Sequence, residues 1–223
     1  MNGSGEWSTQ SMEGDAHSLH LVDLPAHRGI WSMSPTRSAF VLGSSQSAAD
    51  VDAEFCASQG IDLVRRRSGG GAVYVDPIDT LWIDVVIARN DSYWVDDVGR
   101  SMHFVGRAWS DALMSFGVAD LVVNEGSHVA NDWSRHLCVA GRGAGEVFSA
   151  VTGGKVVGIS QRRTRDYARF QCIAYFSWDV DLHARAVPRV ADDVSRLAGL
   201  VVPITRLDPA AVAQRLGAVL TTR

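Results

Sequence analysis

Lysine is almost absent from this chain. Of 21 basic residues, 20 are Arg, and Lys155 is the only lysine. A GC-rich genome replaces Lys with Arg wherever only positive charge is wanted. A lysine that survives is a candidate for work that a compact, titratable ammonium does and a guanidinium does not. Cysteine is scarce as well. Cys56, Cys138 and Cys172 form an odd set at long spacings with no CxxC pair. That argues against a disulfide framework and against a zinc or other metal-ligating set. No apolar run approaches the roughly 18 residues of a membrane span. The net charge of −4 speaks against a nucleic-acid partner. The N-terminus has neither a basic nor an apolar stretch of the kind that opens a signal peptide. A reducing cytoplasm is the expected setting.

What is present is the composition of an ordinary globular protein, 46% hydrophobic and 21% charged over 223 residues. That length suits one domain with a real core. Residues 1–18 are polar and read as a disordered arm, with one domain over 19–223. Strands are expected at 38–43, 61–64, 72–75, 81–88, 120–123, 146–160 and 170–181. Gly153-Gly154 marks a hairpin turn. A helix capped by Ser47 carries Ala48, Val51 and Phe55 on one face and stops at Gly60. Residues 96–117 read as a long amphipathic helix, and 208–220, with Pro209 in the first turn, as a terminal one. Strands in meander-like runs with few helices between them predict an α+β fold. Its central sheet is mixed, largely antiparallel and flanked by helices.

Two stretches carry chemistry. The first is Arg65-Arg66-Arg67-Ser68-Gly69-Gly70-Gly71-Ala72-Val73-Tyr74, between two strands. Three successive glycines let a ligand lie against the backbone and take its N–H bonds, and the arginines favour phosphate or carboxylate. The bland alternative is a solvated basic loop. The second is Gly153-Gly154-Lys155-Val156-Val157-Gly158-Ile159-Ser160-Gln161. Here the lone lysine opens a strand and, by alternation, shares a face with Val157 and Ile159. Gly158 permits close approach to the backbone. The bland alternative is a hairpin tip with a solvated charge. Neither stretch is a Walker loop, and Gly141-Arg142-Gly143-Ala144-Gly145 lacks the spacing of a dinucleotide fingerprint.

Together, and with Val41-Leu42-Gly43-Ser44-Ser45-Gln46, these motifs resemble the catalytic domain of the biotin and lipoate protein ligase family. The likeness is to its lipoate branch, which includes octanoyltransferases, and covers about residues 20 to 185. The resemblance implies an enzyme that attaches lipoate or octanoate, through an amide, to one lysine of a lipoyl carrier domain. That domain belongs to a 2-oxoacid dehydrogenase E2 or a glycine cleavage H protein. Lys155 becomes the catalytic lysine on the activated carbonyl. Substrate contacts fall to Arg66, Ser68, Gly69, Gly70, Gly71, Ala72, Val73, Tyr74, Asp76 and Gly158. About 40 residues follow Asp181, too few for a separate C-terminal accessory domain.

The departures from the pattern define two mechanisms. Ligases usually carry His-Asp after the glycine-rich strand, whereas this chain has Val75-Asp76. Asn131-Asp132 looks like the Asn-Asp of adenylating ligases, which use ATP and Mg²⁺. His136-Leu137-Cys138-Val139-Ala140-Gly141 looks instead like the thioester-forming transferases, which need no such cofactor and take the chain from an acyl carrier protein. A thiol beside an ammonium is an activated nucleophile. Cys138 is therefore the second catalytic candidate, against the alternative of a small buried hydrophobe. A non-catalytic binding module is the third reading. The arginines at 162–169 are expected to dock an acidic carrier domain.

Overall fold

The computed structural model describes residues 6–222. In chain order the strands are β1 (Ser8–Gly14), β2 (Gly29–Pro35), β3 (Ala39–Leu42), β4 (Asp62–Arg65), β5 (Val73–Val75), β6 (Thr80–Ala88), β7 (Leu121–Val123), β8 (Val147–Ser149), β9 (Lys155–Arg163) and β10 (Tyr167–Tyr175). The helices are α1 (Ala16–Leu21), α2 (Ala53–Ser58), α3 (His103–Ser115), α4 (Val180–Ala186), α5 (Val194–Ala198) and α6 (Pro209–Thr221). Seven strands form one sheet in the order β1-β2-β6-β10-β9-β8-β7, and three form a second, β4-β3-β5. Only β1–β2 and β3–β4 run parallel. The fold is the expected α+β arrangement, largely antiparallel.

β6 lies well inside the large sheet, and its residues from Thr80 to Ile87 are all buried. Its two faces do different jobs. Leu81, Ile83, Val85 and Ile87 pack with α3 and α6. Trp82 and Val86 pack with Ala39, Val41, Val73 and Val75 of the small sheet. A strand covered on both sides reads as a continuous apolar run, which is why its alternation is invisible in sequence.

The N-terminal arm is a correction. Residues 1–5 lie outside the described residues, but Ser8–Gly14 form a strand and Ala16–Leu21 a helix capped by Asp15. Polar composition suggested a loose arm because β1 is an edge strand with mostly solvated side chains. Its order comes from parallel pairing with β2 and from burial of Leu19. Arg169 adds to it by donating to the Leu19 and Val22 carbonyls at 2.7 and 2.8 Å. The helix expected from Ser47 is two pieces, a 3-10 turn at Ala48–Asp50 and α2, which has its own cap in Asp52.

His183 of α4 is fully buried between Trp178, Phe40 and Tyr74. Desolvation pushes its imidazole down to about 4. The unfolded chain takes up a proton near pH 6.5 that the folded chain refuses until about 4, so acid favours unfolding. This group alone is expected to remove about 3 kcal/mol of stability as pH falls through that window. Urea midpoints at a series of pH values check it, and His183→Phe should flatten the slope.

Candidate active site

The glycine-rich loop and the Cys138 loop are joined by backbone. Ala72 N–H donates to the His136 carbonyl at 3.0 Å, and Cys138 N–H donates to the Ala72 carbonyl at 2.8 Å. A Cβ on Gly71 would stand 2.6 Å from the Leu137 nitrogen, so only glycine allows this approach. The Gly43–Gln46 turn braces both loops: Ser44 N–H bonds to the Ser68 carbonyl, and Gln46 Nε2 donates to the His136 carbonyl. The three arginines divide the work. Arg65 holds the carbonyls of Gly43 and Gln46. Arg67 faces solvent near Asp23. Arg66 is buried, and its Nη2 donates to the Gly69 and Gly71 carbonyls and lies 3.5 Å from Cys138 Sγ.

Lys155 reaches the same place from the large sheet. A β-bulge opposite Val147 and Phe148 breaks the strand alternation expected from sequence. Val157 stays in the core shared with α3. Lys155 meets the Gly158 backbone, where a Cβ would sit 3.6 Å from Lys155 Cδ. Its Nζ is 3.3 Å from the Cys138 carbonyl oxygen and 2.7 Å from Glu146. The ion pair is 4% and 5% exposed, so each charge depends on the other. Glu146 also accepts from Gly143 N–H at 2.6 Å.

These groups stand where two spaces meet. A narrow cavity of about 40 Å³ runs between the sheets, with Val73 and Val75 on one side and Trp82 and Ile173 on the other. A wider cleft of about 700 Å³ lies outside it, against Ser68, Gly69 and Gly70. Arg66, Cys138, Glu146 and Lys155 line both. His20 also lines the narrow cavity. Burial, with the cations Arg66 and Arg169 nearby, holds its imidazole well below its ordinary range. Gln171 Nε2 donates to the His20 Nδ1 across 2.9 Å.

A sequence profile of the lipoyl protein ligase A/B catalytic domain matches residues 23–211. The chain belongs to that family. A lipoate–protein ligase 1 from Staphylococcus aureus is 32% identical over 102 residues. That match covers 44% of this chain and 28% of the relative's length. A bipartite lipoate protein ligase from Thermoplasma acidophilum, solved with its E2 lipoyl domain, superposes with a TM-score of 0.71 at 18% identity. The overlap covers 97% of this chain and 84% of that one. An ATP-bound lipoate-protein ligase A superposes at 0.62 with 18% identity, over 96% and 95%. At these identities the solved structures establish the fold.

Within this lipoyl protein ligase fold the expected residues separate. Arg66, Cys138, Lys155, Val73 and Gly158 meet at the cavity, and Ser68, Gly69 and Gly70 face the cleft. Ala72 and Gly71 serve the loop junction. Tyr74 and Asp76 lie elsewhere. Asp76 accepts from Ser38, Tyr74 and the Ile78 and Asp79 amides, which shapes the turn into β6. Asn131 organises the Cys138 loop: its Nδ2 donates to the Ala140 carbonyl, and its Oδ1 accepts from Trp133 and Ser134. Asp132 pairs with Arg196 at the surface. The 162–169 arginines do not form the expected docking face. Arg169 is fully buried against Asp84, Arg162 pairs with Asp23, and Arg163 stacks on Trp94. Arg165 alone among them is widely exposed, at 94%.

Glu146 and His20 were not singled out from sequence. A buried lysine demands a carboxylate, and Glu146, nine residues upstream behind three spaced glycines, is the signal that was there to find.

Proposed function

We propose that this domain is an acyltransferase that moves a lipoyl or octanoyl group to the lysine of a lipoyl carrier domain, in the cytoplasm, through a thioester on Cys138. The observation that carries this reading is the Cys138 sulfur, 3.5 Å from a buried guanidinium at the mouth of an apolar cavity. A guanidinium there lies against the sulfur that attacks and later leaves with negative charge. The thiolate attacks the carbonyl of an acyl carrier protein thioester, and the carrier's thiol leaves. The carrier-domain lysine then attacks the new thioester, forming the amide and restoring the Cys138 thiolate. Lys155 holds positive charge beside the Cys138 backbone, where it stabilises the oxygen that becomes negative in both steps. The apolar walls take the acyl chain.

A second reading is ATP-dependent ligation through an acyl-adenylate. The wide cleft beside Ser68–Gly70, with exposed backbone and Arg66 at its edge, favours it. In that reading Mg²⁺ would arrive on the ATP phosphates, which hold it with water and one or two carboxylates.

Intact-mass spectrometry separates the readings. The protein is mixed with octanoyl-acyl carrier protein, or with octanoate, ATP and Mg²⁺, and apo lipoyl domain is then added. The expected result is an octanoyl adduct formed without ATP and absent from Cys138→Ser. Modification of the lipoyl domain only with ATP, unaffected by Cys138→Ser, establishes the adenylating ligase instead. Binding of acyl groups with no adduct and no modification leaves a non-catalytic module.

A further inference from the structure

The site contains an amine that a lysine-acylating reaction is chemically equipped to consume. In the transfer reading, an acyl thioester on Cys138 stands in the space that Lys155 also lines. Nζ lies 3.3 Å from the Cys138 carbonyl oxygen, and both residues line the same two spaces. A neutral amine in that position is a nucleophile, and an ammonium is not. Glu146 ties that amine into an ion pair, with a carboxylate 2.7 Å from Nζ.

The carboxylate is itself held in place. Gly143 N–H donates to it at 2.6 Å and Ile159 N–H at 3.3 Å. The short loop before it is locked against α3. Gly145 has φ +78°, and a Cβ on Gly106 would lie 1.9 Å from the Gly145 carbonyl oxygen. Close packing of two glycines thus fixes the residue that precedes β8, with its side chain turned to the lone lysine.

We propose that Glu146 is a positioning residue whose ion pair holds Lys155 back from attack and so prevents the domain from acylating its own lysine. The inference rests on the transfer reading for the identity of the acyl donor. The withheld reaction is complete in itself. The Nζ lone pair attacks the acyl carbonyl, the C–S bond breaks, and Cys138 leaves as thiolate. The surplus amine proton passes to that thiolate. The product is an uncharged amide at Lys155 and a free Cys138, a dead end because the ammonium that stabilised the oxyanion is gone.

The test uses wild type, Glu146→Gln and Glu146→Asp, each treated with the octanoyl thioester of N-acetylcysteamine. Intact mass is read before and after hydroxylamine, which cleaves a thioester and spares an amide. Peptide mapping then reports on Lys155 without ambiguity, because it is the only lysine. The expected result is a hydroxylamine-labile group alone in wild type and a resistant octanoyl group on Lys155 in Glu146→Gln. Glu146→Asp, which keeps the carboxylate, should return to the wild-type pattern. A folded Glu146→Gln that gains no resistant group overturns the proposal. A wild type that takes no labile group overturns the transfer reading separately, and the resistant group in Glu146→Gln still decides the role of Glu146. Should Glu146→Gln fail to fold, the wild type decides, since a resistant group on its Lys155 during turnover also overturns the proposal.

Discussion

Lys155→Ala is expected to lower the rate of acyl transfer by about 10²–10³, the loss typical of removing one donor from a developing oxyanion. It should also destabilise the fold by about 3–5 kcal/mol, because Glu146 is left buried without its counter-charge. The two losses come apart in a double variant. Lys155→Ala with Glu146→Gln removes both charges, so much of the stability should return while activity does not. Lys155→Arg is the sharper control. It keeps the charge but replaces a compact ammonium with a planar fork that has no matching space between Cys138 and Glu146. Its activity should stay near that of Lys155→Ala. Steady-state transfer and urea unfolding, measured on the same preparations, check all three.

Arg169→Ala should be the most damaging single change to stability away from the site. The guanidinium is fully buried, and its Nε donates to Asp84 Oδ2 at 2.6 Å. The same side chain binds the carbonyls at the end of α1. Truncation strands the Asp84 carboxylate in the centre of the sheet, at a cost of about 3–5 kcal/mol. It also unties α1 from β10. Urea unfolding should show the first effect. Limited proteolysis in the segment between β1 and β2 should show the second, with cleavage in Arg169→Ala under conditions that spare the wild type.

The fold class was readable in this sequence because strand runs and turn glycines are local signals. Residues 81–88 and 209–221 declare themselves by pattern, whereas the helix expected over 96–117 is shorter, a 3-10 turn at Arg100–Met102 leading into α3 at His103–Ser115. The missed elements share a physical reason. β1 has a polar exterior and is ordered by a partner strand and by an arginine 147 or more residues away in sequence. No local pattern encodes that. The site divides in the same way. Lys155 stood out by its rarity, and Arg66 and Cys138 through the family resemblance. Asp76 and Tyr74 came with the same resemblance, yet the turn after β5 carries Asp76 away from the cavity. Glu146 escaped because its role is defined by a partner across a bulge, and the bulge is absent from any alternation rule.

The junction of the two loops has a thermodynamic meaning. One side belongs to the small sheet and the other to the loop that leads into the large one, and two main-chain hydrogen bonds at Ala72 span the gap. Those bonds sit beside the apolar packing of Trp82 and Val86 on Val73 and Val75, so the two sheets cohere through a shared core. On the proposed acyl-transfer reading, a chain lying between Val73 and Ile173 would touch both halves, and its binding energy would add to their cohesion.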